Sequence, residues 1–258
     1  MREKPGILVT RPEPGHAETA AAVAALGWQP LPAPALVLSS ILPEGWRAPP
    51  CQALLLPSRA SARALAGRLD PALPVLAVGR GTAAEARACG FLSVIEAEGD
   101  AVSLAALAAE RLDPGRGALL LAAGRGYSLP LAAALRARGF AVARRAVYAA
   151  TPAATLPPQT ILALQAGIVR AALFLSPRSA QVTQALLRRA ALGETVRGMV
   201  AFALSSRIAG RLADMPWQEI RATREPDPAA LLALLGPAPH QASGQPGPLT
   251  GEEGQTRR

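Results

Sequence analysis

Two short stretches of this chain repeat one another at a spacing of 119 residues, and they constrain its fold more than any other feature. Leu54-Leu55-Leu56-Pro57-Ser58-Arg59 is matched by Leu173-Phe174-Leu175-Ser176-Pro177-Arg178. The matches continue in order. Val75–Ala83 pairs with Val200–Ala209, then Ala97-Glu98-Gly99-Asp100 pairs with Arg224-Glu225-Pro226-Asp227, where the offset has grown to 127 residues. Ordered matches at slowly growing spacing read as an internal duplication. Each repeated run is apolar, stops at small polar residues or arginine, and then becomes alanine- and leucine-rich. That is the pattern of a buried strand, a loop and a helix, the unit of a parallel sheet covered on both faces.

The same unit recurs from end to end. Ile7–Thr10 leads through Arg11-Pro12-Glu13-Pro14-Gly15 into a helical stretch over His16–Leu26 that Gly27 stops. Further apolar runs lie at Ala53–Leu56, Val75–Val78, Ser93–Glu96, Ala118–Leu121, Ala172–Leu175 and Val200–Leu204. The second half has no first strand of its own, while Ile7–Gly27 stands alone at the start. The simplest assembly gives that strand and helix to the C-terminal half and makes the middle an inserted domain. The expected fold is α/β, with two similar domains of mostly parallel sheet covered by helices. One domain comprises residues 1–37 and 152–236, and the other 38–151. The chain crosses between them near Leu36–Ser39 and Ala146–Ala149; both segments are β-prone and suit a two-stranded connector. Residues 237–258, rich in Gly, Pro, Gln and Thr, read as a disordered tail.

Composition narrows the partners. The chain carries a net charge of +9, and Lys4 is the one lysine among its 27 basic residues. Basic runs never exceed two residues and only nine residues are aromatic, which argues against nucleic acid and leaves an acidic small ligand. Cys51, Cys89, His16 and His240 form no metal-ligand spacing, and the two cysteines read as buried thiols of a reducing compartment. No signal-like stretch precedes the first strand and no apolar run approaches the ~20 residues of a membrane span. A cytoplasmic monomer without cofactor or metal is therefore expected.

In open α/β sheets ligands bind beyond the carboxyl ends of the strands. Those ends carry Arg11; Ser58 and Arg59; Gly79, Arg80 and Thr82; Gly124; Ser176 and Arg178; and Ser205 and Ser206. Small residues let backbone N–H groups approach an anion at the start of a helix, and arginine adds bidentate binding of carboxylate or phosphate. Each of these residues also suits a plain turn or helix cap; together they suggest a multi-point anion cradle between two domains. No Ser-His-Asp set or carboxylate pair is in evidence. Tyr148 falls where the chain recrosses between the domains, either facing the cleft or packing at the interface. Tyr127, after Gly124-Arg125-Gly126, reads as a loop residue.

Val9-Thr10-Arg11-Pro12, Leu56-Pro57-Ser58, Val78-Gly79-Arg80-Gly81-Thr82-Ala83, Ala97-Glu98-Gly99-Asp100, Val147-Tyr148 and Phe174-Leu175-Ser176-Pro177 resemble, in this order, the uroporphyrinogen-III synthase family. The resemblance spans Gly6 to Leu235. It implies that hydroxymethylbilane, a linear tetrapyrrole with eight carboxylates, binds between the domains and closes to uroporphyrinogen III with inversion of ring D and loss of water. It also implies that Tyr148 assists departure of the terminal hydroxyl as a proton donor. Pro57, Ala123 and Ile208 stand where the family often has Thr, Arg and Thr, each change removing a side-chain contact. A non-catalytic two-lobed binder of an anionic solute, or an inactive paralogue, is the alternative reading.

Overall fold

The structure, a computed structural model, describes residues 4–239. The chain begins with β1 (Gly6–Val9), α1 (His16–Ala25), β2 (Gln29–Pro32) and β3 (Leu36–Ser40). It continues through β4 (Ala53–Leu56), α2 (Arg59–Leu65), β5 (Val75–Ala77), α3 (Arg80–Ala88), β6 (Val94–Glu96) and α4 (Ala101–Arg111). Next come β7 (Leu119–Gly124), α5 (Leu129–Ala137), β8 (Val142–Pro152) and α6 (Pro158–Gln165). Last are β9 (Val169–Phe174), α7 (Pro177–Arg189), β10 (Val200–Ala203), α8 (Ser206–Leu212), β11 (Glu219–Ala222) and α9 (Pro228–Leu235).

Two sheets result. The first has the order β11-β10-β9-β1-β2 and is parallel throughout. The second has the order β3-β8-β7-β4-β5-β6 and is parallel except for β3, which runs antiparallel to β8. Set side by side, β11-β10-β9-β1-β2 and β6-β5-β4-β7-β8 are the same arrangement. The second copy takes its missing strand from the start of the chain, as the simplest assembly requires, since β1 pairs with β9. The counterpart of β7 is β1, reached from the opposite end of the chain, so the duplication is complete in space and cyclically permuted in sequence.

The strands are apolar without alternation because both of their faces are covered. In β4, Ala53 and Leu55 pack into one core with Leu104, Leu119, Leu121 and Leu135, while Leu54 and Leu56 enter another with Leu65, Leu120 and Val147. In β1, Leu8 joins the core built around Phe174, while Ile7 and Val9 join the one around Trp28 and Phe202. Two strands, β2 and β11, gave no sequence signal. They are the edges of the first sheet, and β2 contains Pro30 and Pro32, which an edge tolerates because it needs fewer ladder N–H groups.

Helix starts follow local rules. Ser58, Ser176 and Ser205 cap α2, α7 and α8 by accepting the N–H of the residue three positions on. Asp100 and Asp227 do the same for α4 and α9. At the C-terminus the chain stays attached beyond the expected start of the tail: Trp28 Nε1 donates to the Gly236 carbonyl at 3.0 Å and Ala238 N to the Leu26 carbonyl at 2.8 Å. The rest of that tail, 240–258, and with it His240, lies outside the described residues.

Phe174 is fully buried at the end of β9, with Trp217 edge-on at 5.6 Å between ring centroids. Phe174→Ala is expected to cost about 3–5 kcal/mol, read from the denaturant midpoint at unchanged m-value. A loss under ~1 kcal/mol would mean that this core collapses around the deletion.

Candidate functional site

The carboxyl ends of both sheets meet beside the connector, where a cleft of about 420 Å3 is lined by Arg11, Leu36, Leu38, Tyr127, Tyr148, Ala150, Leu175, Ser176, Ser179 and Leu204 among others. A smaller recess of about 160 Å3, bordered by Glu13, Ser39, Ser40 and Arg63, opens beside the same tyrosine. Tyr148 thus borders both spaces.

Its placement follows from strand register. β8 is eleven residues long. Its first part pairs with β7, and the last pair of that ladder, after a register shift at Ala123/Gly124, is Gly124↔Tyr148. Its second part pairs with β3, and the antiparallel ladder starts at Ser40↔Tyr148. Tyr148 therefore sits at the residue where the strand leaves one ladder and enters the other. The phenol ring lies over Gly124, where an added Cβ would come within 2.7 Å of the ring. Ser58 Oγ donates to the phenol oxygen at 3.3 Å, and Ser61 Oγ lies 3.1 Å from Ser58 Oγ. With its oxygen accepting from Ser58, the phenol keeps its own proton for a partner in the cleft.

The structure gathers part of the expected anion cradle. Arg11 and Ser176 line the cleft with Tyr148. Ser58 reaches it through the phenol, and Gly124 lies under the ring. Arg178 Nη2 donates to the Ala150 carbonyl at 2.8 Å, which bonds the start of α7 to the connector. Arg59 holds Glu18 of the opposite lobe, and its Cδ and Nε lie 4.0 Å from a Cβ built at Gly81. The remaining candidates stand outside the cleft lining. Gly79 packs on Gly99, where a Cβ would meet backbone at 3.0 Å; Arg80 and Ser206 are exposed; Thr82 is buried. Ser205 serves as the α8 cap.

Two of the three departures from the family pattern fall at buried positions. Ala123 is fully buried within β7, and Ile208, in the first turn of α8, belongs to the core around Phe174. Both side chains are buried, as is that of Thr82 at the matching position of α3.

Charge in the site is shaped by burial. Desolvation, aided by the neighbouring Arg59 charge, lowers the pKa of Arg11, against the pull of Glu18 and Glu13. The Glu18 carboxyl is held below its ordinary range, chiefly by its bond to Arg59. Cys51 and Cys89 are free and half-buried rather than fully buried, and burial pushes both thiols up, away from thiolate chemistry. Among the described residues no cluster of three His, Cys, Asp or Glu side chains suits a metal, and no helix is long and apolar enough to cross a membrane. Leu36 and Leu38 lie in the expected connector and Leu204 in an expected strand run, but their place in the cleft, like that of Ser179 and Ala150, depends on how the lobes meet, and Glu18 carried no sequence signal.

The model of the family described as HEM4, uroporphyrinogen-III synthase HemD, matches residues 17–233. A crystal structure of uroporphyrinogen-III synthetase from Helicobacter pylori is similar, with a TM-score of 0.57 at 14% identity over 90% of this chain and 98% of that one. A uroporphyrinogen III synthase structure from Thermus thermophilus gives a TM-score of 0.36 at 23% identity over 89% and 96%. No curated protein gives a significant match.

The Gly124–Tyr148 contact can be tested without a substrate. Gly124→Ala is expected to cost about 1–3 kcal/mol by overpacking, and little in a Tyr148→Ala background. Equal costs in both backgrounds, read from denaturation midpoints, would show that the ring is not what fixes glycine here.

Proposed function

The chain belongs to the uroporphyrinogen-III synthase family, and on that premise we propose that the cleft beside Tyr148 is where hydroxymethylbilane is bound and closed. The enzyme converts hydroxymethylbilane to uroporphyrinogen III, inverting ring D and releasing water. Family membership does not favour a purely sequestering two-lobed binder.

The phenol of Tyr148 donates its proton to the terminal hydroxyl of the substrate, which leaves as water and generates an azafulvene cation. The Ser58 hydroxyl, 3.3 Å from the phenol oxygen, stabilises the phenolate left behind. Ring D then attacks through its substituted carbon, giving the spiro intermediate that reopens and recloses with that ring inverted. The proton lost on final ring closure restores the phenol or passes to water, so protons balance over the cycle. The observation that carries this reading is the position of Tyr148, half-buried between two cavities and at the junction of two ladders. Most of the catalytic effect is conformational: holding both ends of the chain makes spiro attack faster than spontaneous direct closure.

Arg11, Ser58, Arg59, Gly79, Arg80, Thr82, Gly124, Ser176, Arg178, Ser205 and Ser206 remain the proposed binding set, with different weights. Arg11 and Ser176, which line the cleft, have the best support from its geometry. Gly79, Thr82 and Ser205 serve through the backbone at helix starts, and Gly124 by making room for the phenol. The division into 1–37 with 152–236, and 38–151, is supported by the membership of the two sheets. We take the compartment to be the cytoplasm, in keeping with the free thiols, and the working unit to be a monomer.

Tyr148→Phe is expected to slow single-turnover formation of the type III product by ~10²-fold, the low end for a positioned acid because water enters the cleft. The isomer ratio should hold wherever turnover outruns spontaneous closure. An unchanged rate would leave Tyr148 a packing residue. Binding of a tetrapyrrole should weaken with salt, and Arg80→Gln should cost roughly 0–1 kcal/mol of affinity because the cationic load is shared. Equal affinity for a tetrapyrrole octa-ester would overturn the anion cradle.

A further inference from the structure

Among the described residues one ion pair joins the two lobes. Arg59, the first residue of α2, holds Glu18, in the first turn of α1, through both guanidinium nitrogens, with Nη2 2.9 Å from Oε2. The two partners differ in accessibility: the Arg59 side chain is 17% exposed and that of Glu18 60% exposed. The guanidinium is mostly covered while the carboxylate faces solvent. Arg11, on the Glu18 side and lining the cleft, is close enough for its charge to help hold the Glu18 carboxyl below its ordinary range. The two arginines repel one another, since the charge of Arg59 makes Arg11 harder to protonate. The side-chain contact across the lobes is thus the Glu18 carboxylate on Arg59, while Arg11 Nη1 lies 3.5 Å from Oγ1 of the adjacent Thr19.

We propose that Glu18 is an internal stand-in for a substrate carboxylate: it occupies Arg59, with Arg11 on the same side, and gives way when a carboxylate of the tetrapyrrole arrives. This rests on the reading of the cleft as the tetrapyrrole site. The exchange replaces one carboxylate by another on the same donors, so the charge balance of the mouth is kept while the lobes lose their side-chain tie and gain a ligand-mediated one. The solvent-facing carboxylate is the partner that can be displaced, and the bidentate geometry offered to Glu18 is equally suited to a propionate or acetate arm. Without any carboxylate there, two like charges would face each other across the lobes. Glu18 is therefore a positioning residue whose removal strengthens ligand binding, the reverse of a contact residue.

The probe is uroporphyrin III, the stable oxidised octacarboxylate related to the product, titrated by fluorescence at low and high salt. Glu18→Gln is expected to tighten its binding by about two- to fivefold at low salt, the size of an exposed ion pair, with the gap closing at high salt. Arg59→Gln should weaken binding, and in that background Glu18→Gln should no longer tighten it. Wild-type binding with unchanged or weaker affinity in Glu18→Gln would overturn this inference alone. Failure of the wild-type protein to bind uroporphyrin III would overturn the reading of the cleft and this inference with it.

Discussion

β8 pairs along its length with two different neighbours, and the remainder of the molecule is arranged around that fact. From Leu119↔Val142 to Gly124↔Tyr148 it is the last parallel strand of one sheet, and from Ser40↔Tyr148 to Leu36↔Pro152 it is half of an antiparallel ribbon. Ladder bonds are directional and closely spaced, so a strand shared between two ladders fixes their relative orientation more firmly than a loop would. Ala153 N continues the ribbon to the Ala35 carbonyl, and Ala33 and Ala35 bond back to Val9 and Thr10 at the end of β1. The crossing is thus hydrogen-bonded from one sheet almost to the other. A residue at the change of ladder must lie where the lobes face each other, and Tyr148 is that residue.

The chemistry of the cleft follows from what else reaches that point. Parallel strands deliver helix starts and small residues to one end of each sheet, and both such ends face the ribbon. Yet most of the serines found there are already occupied. Ser58, Ser176 and Ser205 satisfy their own helix N-termini, so what they present to a ligand is a short, low-bulk edge with a capped helix behind it. The arginines are similarly committed: Arg178 to the connector, Arg59 to Glu18. Such a site is pre-organised and its positive charges are partly screened by the protein itself, which suits a large polyanion that must be held at several points without being held too tightly to turn over.

Much of the fold could be read from residues alone because both faces of these sheets are covered. Burial on both sides writes strands as continuous apolar runs, and Ala53–Leu56 and Val200–Ala203 stood out for that reason. The edges β2 and β11 did not: an edge strand buries less and tolerates proline, so Gln29-Pro30-Leu31-Pro32 carries no strand pattern. The apparent gap in the duplication had another cause. Sequence order cannot show that β1 and β7 occupy equivalent places when one copy is permuted relative to the other. In the site, Tyr148 and Arg11 were legible from their place at a crossing and a strand end. Glu18 was not, since nothing near it in sequence distinguishes it from an ordinary acidic residue in the first turn of a helix.

The sequence by itself determined the units: strand, capped loop and helix, their repetition, the absence of alternation in the strands, and the excess of arginine that favours an acidic ligand. These are consequences of local propensity and of burial, which act on a few neighbouring residues. Tertiary structure alone decided the order of those units within each sheet, which strand of one copy matches which of the other, and which charges meet across the lobes. The reason is one of range. A cap or an apolar run is settled within one turn or one strand, whereas the seat of Tyr148 on Gly124 and the meeting of Arg59 with Glu18 depend on the register of two ladders between segments far apart in the chain.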